Sequence, residues 1–164
     1  MGRKTQIKCN GDEARFEEVA SFIYNRFGNS IKYIADVAGG QGMLSRILNK
    51  KYNYESEVID PRHYQVVGVS NRECEYKSSM AGYYDLVVGL HPDEAIRDVI
   101  ESSLTRPVLA IPCCNFWDRN KKLGTKEMIR EISIWLKNNN IKYEIIEFNF
   151  KGPKNIGILT YRRW

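Results

Sequence analysis

Residues 32–42, Lys-Tyr-Ile-Ala-Asp-Val-Ala-Gly-Gly-Gln-Gly, constrain the fold more than any other stretch. An apolar run reaches a carboxylate at Asp36, and Gly39, Gly40 and Gly42 follow within six residues. The run reads as a buried parallel strand, and the glycines as a tight turn into a helix beginning near Met43. Glycine admits positive φ and lets a ligand lie on bare backbone, and the first amides of the next helix point into the same space. With no ligand, the same residues would make a plain glycine-rich strand-to-helix turn.

Asp36 decides what such a turn holds. A dinucleotide would put a doubly charged pyrophosphate on the loop, and a carboxylate a few ångströms away would repel it. S-adenosylmethionine has no phosphate, and its ammonium and sulfonium are both attracted to a carboxylate. The dinucleotide frame also fits poorly, because Gly40-x-Gly42-x-x-Ser45 has serine where a third glycine belongs. A second acid strengthens the reading. Tyr54 to Pro61 reads as a short strand ending in Asp60, which lies 18 positions past Gly42. An acid about 20 residues beyond such a loop tops the neighbouring strand and accepts hydrogen bonds from ribose hydroxyls. The bland alternative is a turn or capping aspartate ahead of Pro61.

Asp36-Val-Ala-Gly-Gly-Gln-Gly42 with Val-Ile-Asp60 resembles the first two motifs of the class I, Rossmann-like methyltransferases. The family pattern is acid-x-Gly-x-Gly-x-Gly, and here Ala38 stands in for the first glycine. Tyr84-Asp-Leu-Val-Val-Gly-Leu90 matches the fourth strand and Pro107-Val-Leu-Ala-Ile111 the fifth, so the resemblance covers roughly residues 30–160. Gly89-Leu-His91-Pro-Asp93 and Ile111-Pro-Cys113-Cys114-Asn-Phe-Trp117 are similar to a narrower branch. That branch carries Gly-Leu-His-x-Cys-Gly-Asp after strand four and Cys-Cys-aromatic after strand five, and it includes tRNA ribose 2′-O-methyltransferases. The chain departs from it by lacking the Cys-Gly pair, with Asp93 only two positions after His91.

The resemblance implies S-adenosylmethionine as cofactor, held by Asp36, Ala38, Gly39, Gly40 and Gly42, by Asp60 and Pro61, and by Leu90 and His91. It implies His91 as the catalytic base with Asp93 orienting it or accepting the proton itself, and Cys113, Cys114, Asn115, Phe116 and Trp117 lining the acceptor pocket. His91 and Asp93 could equally shape a turn and cap the next helix. A cysteine nucleophile on the Pro112-Cys113-Cys114 segment is a further alternative. Asp36, Asp60, His91 and Cys113 all fall at expected carboxyl ends of strands, where ligands of open α/β sheets bind.

Alternating strands and helices imply an α/β fold, a mostly parallel sheet with right-handed crossovers. A first amphipathic helix is expected over 12–27, with Phe16, Val19, Ala20, Ile23 and Phe27 on one face, packed on the sheet. Strands are expected at 31–37, 54–60, 84–90 and 107–112, and helices at 43–51, 93–103 and 125–138, the last capped by Thr125. Residues 61–83 are short for a helix and a third strand; only Tyr64 to Val69 looks strand-like, so the sheet is trimmed there. Glu73, Glu75 and Ser78 are the candidates near an adenine ring. Segments 142–150 and 156–162 read as an antiparallel hairpin that supplies the family's antiparallel last strand.

At 164 residues the chain is expected to form one domain over 1–164 with a respectable core. No apolar run approaches the ~20 residues that span a bilayer, and the charged N-terminus resembles neither a signal peptide nor a myristoylation site, so a cytoplasmic protein with no membrane partner is expected. Cys9, Cys74, Cys113 and Cys114 make no disulfide framework. Cys113, Cys114 and His91 fit no structural zinc spacing, so no metal is expected. Net charge is +5, and Arg119, Lys121, Lys122 and Lys126 follow the Phe116-Trp117 pair. Cations beside aromatics suit phosphates and unpaired bases, which favours RNA as substrate over a small molecule. A small-molecule methyltransferase, a non-catalytic subunit of a larger complex and a dinucleotide reductase are the rivals. A partner subunit or a second copy of the chain is the expected source of any further RNA grip.

Overall fold

Local sequence signals set the element boundaries. The computed structural model describes residues 12–62, 68–152 and 154–161. Helix α1 (Ala14–Phe27) starts where Asp12 Oδ1 accepts the Ala14 amide at 3.0 Å, and stops at Gly28. Then come β1 (Tyr33–Val37), α2 (Met43–Tyr52), β2 (Glu55–Ile59) and a two-residue β3 (Asn71–Arg72). The second half holds β4 (Leu86–Leu90), α3 (Ile96–Glu101), β5 (Val108–Ile111), α4 (Thr125–Asn138), β6 (Lys142–Glu147) and β7 (Ile156–Tyr161).

Two boundaries differ from expectation. The helix expected over 93–103 is one and a half turns of α3 between 3₁₀ turns at Asp93–Ala95 and Ser102–Leu104. In α4 Thr125 is the first helical residue rather than the cap. The Gly124 amide at the cap position is taken by Glu127 Oε2, 2.8 Å away.

The seven strands order as β3-β2-β1-β4-β5-β7-β6. β1, β2, β3, β4 and β5 are parallel, and β7 runs antiparallel to both β5 and β6. The expected antiparallel hairpin therefore inserts its second strand beside β5. Among the described residues β3 pairs with β2 through Asn71 and Arg72, with the Val58 amide donating to the Ser70 carbonyl at 2.9 Å. Most of the strand-like stretch 64–69 lies outside the described residues.

Period-two alternation sorts each strand between two apolar layers. Ile34, Leu86, Val88, Leu90, Leu109 and Ile111 face α1 and α2 with Val19, Ala20, Ile23, Leu44 and Leu48. Ala35, Val37, Val87, Val108 and Ala110 face α3 and α4 with Ile96, Val99, Ile100, Ile132 and Leu136. The first helix thus packs on the sheet, as its apolar stripe requires. Among the described residues no helix is long and apolar enough to cross a membrane.

Candidate functional site

The strand order reverses between β1 and β4, and in an open parallel sheet that reversal leaves a crevice beyond the carboxyl ends of the strands. A cleft of about 440 Å³ lies there, inside the roughly 300–1,000 Å³ range of small-ligand sites. Val37 and Ala38 border it after β1, Ile59 to Arg62 after β2, Pro92 to Ala95 after β4, and Asp98 from α3. Glu75, Tyr76 and Lys77 form the wall that the trimmed segment leaves, and Arg119 reaches in from the loop after β5.

Of the glycine turn, Ala38 borders the cleft, and Gly39, Gly40 and Gly42 lie behind it. Ala38, Gly40 and Gly42 take φ of +54°, +58° and +80°. Ala38 holds the left-handed conformation at roughly 1–2 kcal/mol, which explains why the related motif has glycine at this place. A β-carbon on Gly40 would meet only the Arg62 guanidinium at 3.9 Å, so the backbone there is open to a ligand. The Gly40 amide donates to Asp60 Oδ2 at 3.0 Å. Asp60 is fully buried and also accepts the Arg62 amide at 2.9 Å and Nε at 3.0 Å on Oδ1, and Arg62 Nη2 at 2.8 Å on Oδ2. Burial pushes its carboxyl up, but the Arg62 guanidinium, the Arg62 amide and the Gly40 amide outweigh burial and hold it below the usual carboxylate range.

Asp36 is placed otherwise than its charge alone suggested. On β1 it shares the face of Ile34, under α2, so it does not wall the cleft. Its Oδ2 accepts the Ser45 hydroxyl at 2.7 Å and the Ser45 amide at 3.2 Å, and Ser45 Oγ lies 2.7 Å from Ser56 Oγ. The buried carboxylate holds the start of α2 beneath the glycine turn. Burial raises its pKa from 3.8 to about 6, against the Ser45 hydrogen bonds, with Asp60 adding to the rise. The folded chain therefore takes up a proton as pH falls through about 6, while the unfolded chain does so only near 3.9. Stability rises on acidification across that window, and ionised Asp36 costs roughly 2–3 kcal/mol above it. Asp36→Asn keeps an acceptor for Ser45. It should raise Tm by about 5 °C at pH 8, a gain that shrinks through pH 6 and vanishes near pH 4 in thermal melts.

The acid side of the cleft is supplied by other residues. Asp60, Glu75, Asp93, Glu94 and Asp98 oppose Arg62, Lys77 and Arg119, five carboxylates against three cations. Asp98 is fixed by the Ser78 amide at 2.9 Å, and Tyr76 by Ser102 Oγ at 2.6 Å. Of the candidates near an adenine ring, only Glu75 borders the cleft.

After β4 the chain turns sharply, with His91 at φ +53° and Asp93 at φ +48°. Asp93 borders the cleft and is the first residue of the following 3₁₀ turn, whose cap position is Pro92. His91 faces elsewhere: its Nε2 lies 2.9 Å from the Lys154 carbonyl and its ring meets Phe150 edge-on at 6.4 Å. A carbonyl only accepts, so Nε2 carries the hydrogen. Burial lowers the His91 pKa, which keeps the ring neutral. The structure thus separates the expected pair, leaving Asp93 at the cleft and His91 against the hairpin.

None of the five expected acceptor residues borders the cleft. Asn115 ties its own loop, donating to the carbonyls of Asp118 and Lys121 at 2.8 Å and accepting the Asp118 amide at 3.1 Å. Trp117 is core, 5% exposed, edge-on to Trp135 at 6.2 Å and under the Arg97 guanidinium at 4.1 Å. Phe116 is half-buried with Arg119 over its ring at 5.1 Å. Cys113 Sγ donates to Asp93 Oδ1 at 2.7 Å; burial, then Asp93, push its thiol up to about 12. Cys114 is exposed, with Lys154 Nζ 3.6 Å from its sulfur. Leu90 is buried on the α1 side.

Sequence reasoning missed Arg62, Tyr76 and Asp98. Arg62 carried a usable signal, since a cation two residues after a strand-end acid folds back onto it.

No protein-family model and no curated protein sequence matches the chain. Solved structures do. The sugar N-methyltransferase KedS8 of a Streptoalloteichus species aligns over 99% of this chain and 98% of its own, at TM-score 0.63 and 10% identity. Ribosomal protein L11 methylase of Lactobacillus delbrueckii subsp. bulgaricus aligns over 93% and 81%, at TM-score 0.62 and 14% identity. The 1,6-didemethyltoxoflavin-N1-methyltransferase of Burkholderia thailandensis, solved with its acceptor and S-adenosylhomocysteine, aligns over 91% and 77%, at TM-score 0.61 and 10% identity. At such identities the shared property is the fold, and the fold of this chain is that of the Rossmann-like methyltransferases.

Proposed function

We propose that the chain is an S-adenosylmethionine-dependent methyltransferase acting on RNA. The observation that carries the cofactor reading is the cleft with the turn beside it: a fully buried acid at Asp60, tied to the open backbone of Gly40, and an excess of carboxylates along the lining. A cationic, phosphate-free nucleoside suits that charge better than a dinucleotide. When bound, the cofactor would supply a methyl group activated by its sulfonium. Asp60 would hold ribose hydroxyls, Ala38 and the Gly39-Gly40 backbone would carry the amino-acid end, and Pro61 and Tyr76 would border the nucleoside. Asp93, bordering the cleft on a strained turn, would take the proton from an acceptor hydroxyl. His91 serves as a positioning residue for that turn.

RNA is favoured by the rim. Arg119 borders the cleft, Phe116 lies under the Arg119 guanidinium, and Lys122 on the same loop and Lys126 at the start of α4 are exposed. Phosphates and one stacked base fit this set. A small-molecule acceptor is the second reading, favoured by the acceptors named for the sugar and toxoflavin enzymes.

Calorimetry with S-adenosylmethionine, then transfer of labelled methyl into bulk RNA, tests both steps. Label should enter RNA, fall by about 10²–10⁴ in Asp93→Asn, and fall far less in His91→Ala. Binding without transfer to RNA moves the acceptor to the second reading. No binding of S-adenosylmethionine or S-adenosylhomocysteine removes the enzyme reading altogether.

A further inference from the structure

We propose that Asp93, Cys113 and Cys114 form a binding site for a thiophilic divalent cation of the zinc class at the rim of the cleft. Their ligand atoms, one carboxylate oxygen and two sulfurs, all lie within 4.8 Å of one another.

Two neighbouring cysteines rarely aim at one point. In a strand, successive side chains face opposite sides of the sheet. Here β5 ends at Ile111 and the chain bends at Cys114, so both thiols swing to the same side. Asp93 comes from the opposite loop, carried there by a left-handed backbone that costs a non-glycine residue roughly 1–2 kcal/mol. Two separate strand ends therefore converge on one volume.

The dimensions suit zinc. Zn–S of ~2.3 Å and Zn–O of ~2.0 Å at a tetrahedral angle require sulfur–sulfur of about 3.8 Å and sulfur–oxygen of about 3.5 Å. The Cys113–Asp93 contact of 2.7 Å would open by roughly 0.8 Å. The remaining separations, inside 4.8 Å, would close by about 1.3 Å at most. Lys154 Nζ lies 3.6 Å from the Cys114 sulfur, and its long chain can swing aside when the metal arrives.

Three protein ligands leave a fourth position free, the pattern of reactive rather than purely structural zinc sites. Asp93 also borders the cleft, so that position lies at its edge. His91 is not in the set, because its Nε2 is held by the Lys154 carbonyl. The site does not depend on the cofactor reading, and its test needs no cofactor.

The experiment uses the full chain, reduced and metal-free, titrated with Co²⁺ and then Zn²⁺. One Co²⁺ per chain should bind with a thiolate-to-cobalt charge-transfer band, and Zn²⁺ should displace it. The Cys113→Ser/Cys114→Ser variant should lose at least about 100-fold in affinity together with the band, more than the roughly 10–100-fold that loss of an outer-shell partner costs. Asp93→Asn should weaken binding while keeping the band, and Cys74→Ser should change nothing. Should the double variant fail to fold, alkylation of the wild-type chain gives the same answer. Zn²⁺ should protect Cys113 and Cys114 while Cys74 reacts at its own rate. A wild-type chain with no thiolate band at saturating Co²⁺, a band that survives in the double variant, or alkylation indifferent to Zn²⁺ overturns the site.

Discussion

Asp60→Ala should reduce affinity for S-adenosylmethionine by about 10²–10⁴. The side chain is fully buried and already accepts four hydrogen bonds, one from the Gly40 amide and three from Arg62. A charge-assisted hydrogen bond contributes about 1.5–3 kcal/mol, so losing two ribose hydroxyl bonds costs about 3–6 kcal/mol. The same substitution releases the Gly40 amide and loosens the glycine turn. Arg62→Ala should act in the opposite direction. The guanidinium occupies the carboxylate lone pairs that ribose hydroxyls would use, and removing it spares the ligand that displacement. Binding should tighten several-fold. Because Asp60 is held below the usual carboxylate range, wild-type binding should stay flat from neutral pH down to about pH 5. Calorimetry at two pH values on the three proteins checks all of this. Equal affinity of Asp60→Ala and wild type would mean that the ligand lies elsewhere.

What could be read from sequence was what local backbone demands. Gly40 and Gly42 sit at positive φ between a strand and a helix, and the glycines announced it. Asp60 was legible because a parallel strand and its crossover fix the distance from loop to acid. The α4 stripe of Met128, Ile129, Ile132 and Leu136 was legible because its period is helical. Positions decided by distant chain were not. His91 is set by the Lys154 carbonyl, 63 residues away, and Trp117 by Arg97 and Trp135. Phe-Trp beside four cations looks the same in sequence whether the rings face RNA or the core. Asp36 is the instructive case. Its charge points to a ligand, but its face follows from Ile34 two residues earlier, which places both under α2.

The burial of Asp36 predicts the second large effect, at Gly39. A β-carbon there would lie 2.6 Å from the Asp36 carboxyl carbon and Oδ1 and 2.7 Å from Oδ2, far inside van der Waals contact. The carboxylate has nowhere to go. Ser45 holds it through two hydrogen bonds, Ser45 is itself bonded to Ser56, and the group is 1% exposed. Gly39→Ala should therefore cost about 3 kcal/mol, a large share of the roughly 5–15 kcal/mol that holds a domain together. In thermal melts that is a drop of about 6–12 °C for a chain of this size. Gly82→Ala is the control, since a β-carbon there meets nothing within 4 Å, and it should stay within about 1 kcal/mol. The cause is separable from ordinary loop damage by a double-mutant cycle. If the clash is with the carboxylate, Asp36→Ala removes it, and the double variant Asp36→Ala/Gly39→Ala should be about 2 kcal/mol more stable than the two single losses added together. Strict additivity would show that Gly39 is needed for a reason other than Asp36. It would also separate the acid beneath the turn from the shape of the turn that the cofactor reading requires.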